Sequence, residues 1–229
     1  MKQLLLLLFI ANLFSACSKE GTSGSQAQMK FINASVNAPT LVLEADGLTL
    51  ATDVVFPSAS NYFFINAGKP NFRIKAKDGV LPELIIANGT YTLTENTNYT
   101  LLMTDSLSKV KVSLITDTIT SADTGKAKIR FFHLAGDIAA TDFFVGTTKL
   151  SSSRSFNDQG TNTTVTVFQQ VTAANITIQA KNSANGNLIA SLPNVNLQSG
   201  KVYTCILEGA VTGTTGTAQQ LGLTLLEYN

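Results

Sequence analysis

Two side chains of this sequence are of types that carry out covalent or acid–base chemistry in enzymes. They are His133, the only histidine, and Cys205, one of two cysteines. As a catalytic base, His133 would need a nucleophile and a positioning carboxylate, and only the carboxylate has candidates, Asp137 and Asp142. No nucleophile motif accompanies it, so a strand-end histidine that hydrogen-bonds loop backbone is favoured. Cys205 lies in an alternating segment, which predicts a buried, inert thiol, because reactive cysteines need exposure and a positive neighbour. We therefore expect no enzyme.

Metal-binding residue types are equally scarce. One histidine and, apart from Cys17 near the N-terminus, one cysteine cannot build a zinc site within the chain. Residues 157–162, Asn-Asp-Gln-Gly-Thr-Asn, offer oxygen ligands for calcium, but they lack the alternating carboxylates and terminal glutamate of a calcium loop. A solvated hairpin loop is the favoured interpretation. The sequence predicts neither a metal nor a cofactor.

A row of basic residues is one candidate for ligand binding. Arg73, Lys75 and Lys77 are spaced by two, so they share one face of a strand and could meet an acidic glycan or a lipid headgroup. The alternative, which we favour, is the wet side of a strand or an edge strand protected by lysine.

Aromatic side chains could stack on a sugar, but the chain has no tryptophan. Tyr62, Tyr91 and Tyr228 are the candidates for such a platform. Tyr99 and Tyr203 stand at matching places near the start of late strands. This favours a structural role, in the manner of a tyrosine corner.

The elements that must position these residues are strands. Apolar residues alternate with period two at 73–77, 109–114 and 175–180, and Asp46-Gly47 is a hairpin turn signal. No window beyond the leader shows a helical repeat. The pattern predicts an all-β fold with two tandem antiparallel β-sandwiches, immunoglobulin-like in shape, whose strand order stays open.

The tandem arrangement follows from an internal repeat. Residues 29–38 align with 129–138, and residues 98–102 align with 202–206. The polar segment between the copies has the composition of a linker. The predicted division is a leader at 1–16, a tether at 17–28, β-sandwich domains at 29–117 and 127–229, and a linker at 118–126.

The N-terminus resembles a bacterial lipoprotein signal peptide. Lys2 precedes an apolar run at 4–10, and Leu-Phe-Ser-Ala-Cys at 13–17 places small residues before Cys17. The run is shorter than the roughly 20 residues that cross a bilayer. The resemblance implies removal of the leader and lipidation of Cys17. A plain secretory signal is the alternative.

The resemblance also implies a location. Ser18 stands where the inner-membrane retention signal has aspartate, which implies an outer-membrane anchor held by acyl chains such as palmitate. Whether the protein faces the cell surface or the periplasm stays open. The following Gly-, Ser-, Thr- and Gln-rich residues predict a flexible tether.

Short motifs resemble the domain of unknown function 4397. Residues 31–39, Phe-Ile-Asn-Ala-Ser-Val-Asn-Ala-Pro, are followed by an alternating strand and by Asp46-Gly47, as at the opening of that domain. His133 keeps the family's usual histidine in the second copy, and residues 200–204 match its late Gly-x-x-Tyr-Thr. The resemblance spans nearly all of 29–228. It implies β-sandwich domains on an exported, often lipid-anchored protein with no established activity.

Two short patterns resemble O-glycosylation sites of exported Bacteroidota proteins. Asp105-Ser106-Leu107 and Asp117-Thr118-Ile119 each place an apolar residue after Asp-Ser or Asp-Thr. They make Ser106 and Thr118 candidates for modification.

The net charge of +1 argues against nucleic acid as a partner, because counterion release requires a basic face.

The leading hypothesis is a non-catalytic lipoprotein that binds or displays at the cell envelope, with a glycan, matrix component or envelope protein as partner. A structural subunit of a surface appendage is the second, although no arginine precedes Arg73 to serve as the cleavage site of a pilin. A hydrolase is the third, and it would need a carboxylate pair in a cleft. A pocket shared between the domains would favour binding.

Overall fold

The computed structural model describes residues 25–79, 82–86, 90–210 and 220–228, without the side chains of 84–86. The proposed leader at 1–16 and the lipidation site Cys17 lie outside this part of the chain. Within it the fold is all-β, as expected, with strands, short 3-10 turns and no α-helix. None of these residues form a helix of the length and hydropathy that crossing a membrane requires.

The strands divide between two halves of the chain. The first half contains β1 (Gln26–Val36), β2 (Leu41–Ala45), β3 (Leu48–Val54), β4 (Ser58–Ala59), β5 (Phe63–Asn66), β6 (Phe72–Ala76), β7 (Leu84–Ile86), β8 (Asn98–Ser106) and β9 (Lys111–Asp117). The second half contains β10 (Lys126–His133), β11 (Thr141–Val145), β12 (Thr148–Arg154), β13 (Gln169–Thr172), β14 (Asn175–Asn182), β15 (Leu188–Asn196), β16 (Val202–Glu208) and β17 (Gly222–Tyr228). Three 3-10 turns lie at Leu107–Lys109, Asp158–Gly160 and Thr163–Thr166.

Each half has two sheets, and the strand orders of the halves correspond. The first inner sheet has the order β4-β1-β8-β9, with β5 also paired to β1, and the second inner sheet has the order β13-β10-β16-β17. The first outer sheet is β3-β2-β6-β7 and the second is β12-β11-β14-β15. The segments that repeat in the sequence therefore occupy equivalent strands: β1 and β10, and β8 and β16.

The sheets are not wholly antiparallel, which corrects the sequence prediction. β1 pairs parallel with β8, and β10 pairs parallel with β16. Parallel neighbours need a long crossover, and here the outer sheet of each half supplies it. The other pairs are antiparallel, including the β2–β3 hairpin, whose turn residues Asp46 (φ 49°) and Gly47 (φ 82°) adopt the left-handed conformation that such turns require.

Three apolar clusters separate four layers, in the order outer, inner, inner, outer. Along β1, Phe31 packs toward the first outer sheet, whereas Ile32 packs toward the second half of the chain. In the second half, Phe131 and Phe132 divide in the same way. Strands buried on both faces carry continuous apolar runs instead of an alternation.

Candidate functional site

The two inner sheets pack against each other through equivalent residues. The apolar part of this interface lies midway along the strands and includes residues of both halves. Its equivalent pairs, matched through the sequence repeat and the strand registers, are Ile32 and Phe132, Ala34 and Leu134, Leu102 and Ile206, and Ile115 and Leu226. In a two-fold dimer, the same surface of each subunit packs against its copy on the other subunit. The two inner sheets pack in this way. Here one chain supplies both sides.

A buried polar cluster lies at one end of this interface, around Arg130, which is 1% exposed. Its Nη2 lies 2.7 Å from Asp117 Oδ1 of the first half, a charge contact without hydrogen-bond alignment. The guanidinium also donates to Tyr228 Oη (2.6 Å) and to Thr204 Oγ1 (2.8 Å). Burial alone would lower the pKa of Arg130, but Tyr228 and Asp117 outweigh it and hold the pKa above its usual value.

The first half completes the cluster with hydroxyl groups. Asp117 Oδ2 accepts hydrogen bonds from Tyr62 Oη (2.6 Å) and Thr100 Oγ1 (2.7 Å). Burial, and then the charge of Asp117, raises the pKa of Tyr62 far above its usual range. Tyr62, a candidate stacking platform from the sequence, therefore lies between the halves with its hydroxyl occupied. Tyr228 is buried in the same cluster.

Lys30 is the equivalent of Arg130 in the repeat and approaches the same cluster. Its amine donates to the backbone oxygen of Glu227 (3.1 Å) and lies 4.2 Å from the ring centroid of Tyr228. Burial, helped by the charge of Arg130, lowers the pKa of Lys30 to about 8. The cluster joins the halves, and nothing in it opens to a ligand.

Each member of the basic row, a candidate site for anions, pairs with a carboxylate. Arg73 lies 3.3 Å from Glu83, and Lys75 lies 2.5 Å from Glu44. The third member, Lys77, pairs with Asp53. Arg73 and Lys75 face outward on β6, an interior strand of the first outer sheet, and Lys77 follows the last residue of that strand. The row is therefore the wet side of a strand and not a protected edge.

His133 and its equivalent, Asn33, both hold loop backbone, as the sequence suggested. His133 Nε2 lies 3.2 Å from the oxygen of Ala139, and Asn33 Nδ2 donates to the oxygen of Val54 (3.1 Å). Burial lowers the pKa of His133. The carboxylate of Asp142 binds elsewhere, to Lys149 at 2.5 Å.

Cys205 and the two matching tyrosines are structural as well. Cys205 is buried, and desolvation, followed by the charge of Glu208, raises the pKa of its thiol well above the usual value. Tyr99 Oη accepts the backbone N–H of residue 94 (3.0 Å), and Tyr203 Oη accepts that of residue 198 (3.1 Å). The remaining platform candidate, Tyr91, donates its hydroxyl to a backbone oxygen.

The loop at 157–162 packs against the first half and is not a solvated hairpin, which corrects that interpretation. Gly160 approaches Ser113 of β9 so closely that a Cβ there would lie 2.6 Å from Ser113 Oγ. The carboxylate of Asp158 is held by Arg154 at 2.8 and 2.7 Å. No cluster of three or more His, Cys, Asp or Glu side chains able to hold a metal occurs among the described residues.

The two candidate glycosylation sites differ in accessibility. Thr118 is exposed, but the preceding Asp117 of its motif is buried in the polar cluster. Ser106 is half-buried, with its hydroxyl 3.2 Å from that of Ser108.

A cleft of about 650 Å³ opens at the other end of the interface, where the strands of both inner sheets end. Its walls are equivalent loops of the two halves. In the sequence repeat, Asn37 is equivalent to Asp137, and Asp105 is equivalent to Gly209. The lining residues are Val36, Asn37, Asp105, Ser106, Lys109, Lys111, Leu134, Gly136, Asp137, Phe156, Gly209 and Ala210. Sequence reasoning did not select this set as a site, although the matching positions of Asn37 and Asp137 were visible in the repeat.

One wall of the cleft combines an aromatic ring with amines. Lys111 Nζ lies 4.7 Å from the ring centroid of Phe156 and 3.6 Å from Asp105 Oδ2. The Phe156 ring also packs over Gly136, where a Cβ would lie 3.5 Å from its nearest atom. Lys109 makes no ion pair within the described residues. The cleft therefore has amines, two carboxylates (Asp105 and Asp137) and an aromatic surface in its lining.

Glu208, which immediately precedes cleft residue Gly209, is a buried acid, 5% exposed. Its Oε1 accepts a hydrogen bond from Thr224 Oγ1 (2.9 Å), while its Oε2 has no hydrogen-bond partner among the described residues. Burial raises its pKa from 4.5 to about 7. The folded state thus binds this proton more tightly than the unfolded chain does.

Glu208→Gln should remove a pH-dependent loss of stability. Because the folded pKa is the higher one, Glu208 costs nothing below about pH 4.5, and its cost grows to roughly 3 kcal/mol as the pH rises through 7. The variant should therefore gain stability over the wild type at about pH 8 and not at about pH 4, as measured by urea unfolding at both values. Exposed Glu95→Gln is the control, and equal pH slopes for wild type and Glu208→Gln would contradict the prediction.

The sequence profile of the family described as Domain of unknown function (DUF4397) matches residues 27–144, just over half of the chain. The chain belongs to this family. The match confirms the resemblance inferred from the DUF4397 motifs around β1 and β2. No curated protein matches the sequence.

Two solved structures are similar over most of their length. One is a candidate cell adhesion protein from Parabacteroides distasonis ATCC 8503, at 9% identity and a TM-score of 0.26, covering 90% of this chain and 99% of that one. The other is a candidate cell adhesion protein from Bacteroides fragilis NCTC 9343, at 12% identity and a TM-score of 0.19, covering 89% and 98%. At these TM-scores, neither likeness carries an argument about this DUF4397 protein.

Proposed function

We propose that this protein is a non-catalytic, lipid-anchored outer-membrane protein that binds a partner through the cleft between its halves. The observation that carries the proposal is the cleft itself, because it is built from loops of both halves and holds about 650 Å³. Ligand sites of that size occur preferentially at such interfaces. The buried cluster around Arg130 supports the proposal, since it fixes the two walls relative to each other.

The anchor is proposed from the residues around Cys17. The order of a basic residue, a short apolar run and a small residue before cysteine is that of a lipoprotein leader. β1 begins at Gln26, a few residues after Cys17, and ends at Val36, which lines the cleft. The cleft therefore lies at the far end of β1 from the proposed lipid and would face away from the membrane surface.

The described fold does not favour a pilin-like subunit. In assembly by strand donation, a partner's strand fills a place in the sheet. β1 lies inside its sheet, paired with β8 on one side and with β4 and β5 on the other. It also supplies apolar residues to two clusters, so its removal would open both.

Ser106→Trp should fill the cleft and abolish binding. Ser106 lines the cleft and has an extended backbone (φ −74°, ψ 156°) that accepts a large side chain. The purified acylated protein, with acylation of Cys17 checked by mass spectrometry, is applied to arrays of glycans, matrix proteins and envelope proteins. The wild type should bind at least one partner, and Ser106→Trp should lose about tenfold or more in affinity.

Ser152→Trp is the matched control, because Ser152 is exposed on β12 of the second outer sheet and does not line the cleft. Equal binding by the Ser106 and Ser152 variants, or no partner on any array, would contradict the proposal. Bound glycans should be recovered uncut. Cleavage abolished by Asp105→Asn or Asp137→Asn would instead make the cleft that of a hydrolase.

A further inference from the structure

We propose that the partner bound in this cleft is a glycan that carries carboxylate groups, of the uronic-acid type. The inference rests on the proposed function and names the class of ligand for the same site. It follows from two cleft lysines with a long ion-pair contact or none, and from the aromatic ring beside one of them.

The two lysines in the cleft lining, Lys109 and Lys111, have weaker carboxylate pairing than the other lysines and arginines in ion pairs. Lys109 has no carboxylate partner within the described residues, and the 3.6 Å between Lys111 and Asp105 is the longest ion-pair distance found there. The other carboxylate oxygen of Asp105 accepts the backbone N–H of Ser106 (2.8 Å), so that group is already engaged by the protein. Asp137, the other carboxylate in the lining, is likewise engaged in an interaction of its own. The two lysines are therefore the groups of the cleft that an incoming carboxylate would pair with.

The basic row on β6 shows the opposite arrangement. Each of its members pairs with a carboxylate, and the pairs lie on an open sheet face, where solvent screens them. A row of this kind has no net attraction for an anion. The contrast assigns anion binding to the cleft lysines and not to Arg73, Lys75 and Lys77.

The ring of Phe156 adds the second part of the ligand class. It is half-buried in the cleft wall, between Gly136 and the amine of Lys111. An aromatic surface next to amines suits a sugar, whose ring has an apolar face and a polar rim. A carboxylate on that rim would lie near the amine of Lys111, which unites both features in one ligand.

The test compares acidic oligosaccharides with their own neutral forms. Oligomers of galacturonate, hyaluronan and alginate are titrated into the acylated protein in detergent micelles, each beside its carboxyl-methylated ester. At least one acidic form should bind, and its ester should bind about tenfold more weakly or worse. The ester keeps the sugar rings and hydroxyls, so the difference isolates the carboxylates.

Lysine-to-glutamine variants show which lysines bind the acidic oligosaccharide. Lys109→Gln with Lys111→Gln should weaken binding of the acidic form by about tenfold, because both replacements remove charge and keep hydrogen-bonding capacity. Lys75→Gln with Lys77→Gln is the matched control and should bind as the wild type does. Urea unfolding of both double variants checks that the fold is intact.

The outcomes separate this inference from the proposed function. Esters that bind as well as acids, cleft variants that bind as well as the wild type, or no acidic form that binds would each overturn the acidic-glycan inference. The proposed function survives those results if a neutral or protein partner is still lost in Ser106→Trp. It fails if Ser106→Trp changes no binding at all.

Discussion

Arg130→Met should destabilise the protein by about 3–5 kcal/mol, because it leaves the buried carboxylate of Asp117 without its cation. The substitution also removes the donors to Tyr228 and Thr204, whose hydroxyls lie too deep for water to replace them. Urea unfolding followed by circular dichroism measures the loss as a lower midpoint at constant slope.

An exposed ion pair provides the control for Arg130. Arg73→Met removes an arginine from its 3.3 Å contact with Glu83, where the two side chains are 51% and 41% exposed. Such a pair contributes at most about 1 kcal/mol. If both arginine variants lose the same small amount of stability, the cluster around Arg130 does not join the halves as described.

Phe132→Ala should cost about 3–5 kcal/mol by opening a cavity between the inner sheets. Phe132 is fully buried there, and the guanidinium of Arg130 lies 4.5 Å from its ring centroid. The cavity weakens the packing between the two halves and leaves the packing within each half intact. Unfolding of the two halves should therefore become less cooperative. Thermal unfolding of the variant should broaden or divide into two transitions, whereas the wild type shows one.

Phe64→Ala is the matched control for Phe132. Phe64 is 62% exposed on β5, so its removal should change the stability by about 0.5 kcal/mol or less. A loss in Phe132→Ala no larger than this would mean that the inner sheets are not packed against each other in solution.

The strands that the sequence predicted best have one face in solvent and one face in the core. The alternation at 73–77 and 175–180 corresponds to β6 and β14, which belong to outer sheets with one face in water. The turn at Asp46-Gly47 forms because both residues tolerate positive φ. These signals are local, so one sequence reveals them.

The interface between the halves was missed for a physical reason. The inner strands are buried on both faces, and their continuous apolar runs do not say which residue faces which neighbour. The parallel pairing of β1 with β8 is set by the crossover and leaves no period in the sequence. A signal did exist, since Lys30 and Arg130 are charged residues at equivalent places in apolar strands.

The cleft was not predicted from the sequence for a related reason. Spacing by two puts Arg73, Lys75 and Lys77 on one face, but the sequence does not show that carboxylates distant along the chain neutralise two of them. The cleft draws on both copies of the repeat and depends on how they pack. Lys109 ends a 3-10 turn and Lys111 begins β9. The alternation at 109–114 puts both lysines on one face, but it does not show that this face meets the second half.

Hydrogen–deuterium exchange with mass spectrometry, with and without the partner found on the arrays, is the most direct test of cleft binding. Binding in the cleft should slow exchange at 105–111 and at 134–137, because the bound partner covers those loops. Exchange in the basic row at 72–77 should stay unchanged. Protection confined to 72–77, or absent from both cleft walls, would contradict the account.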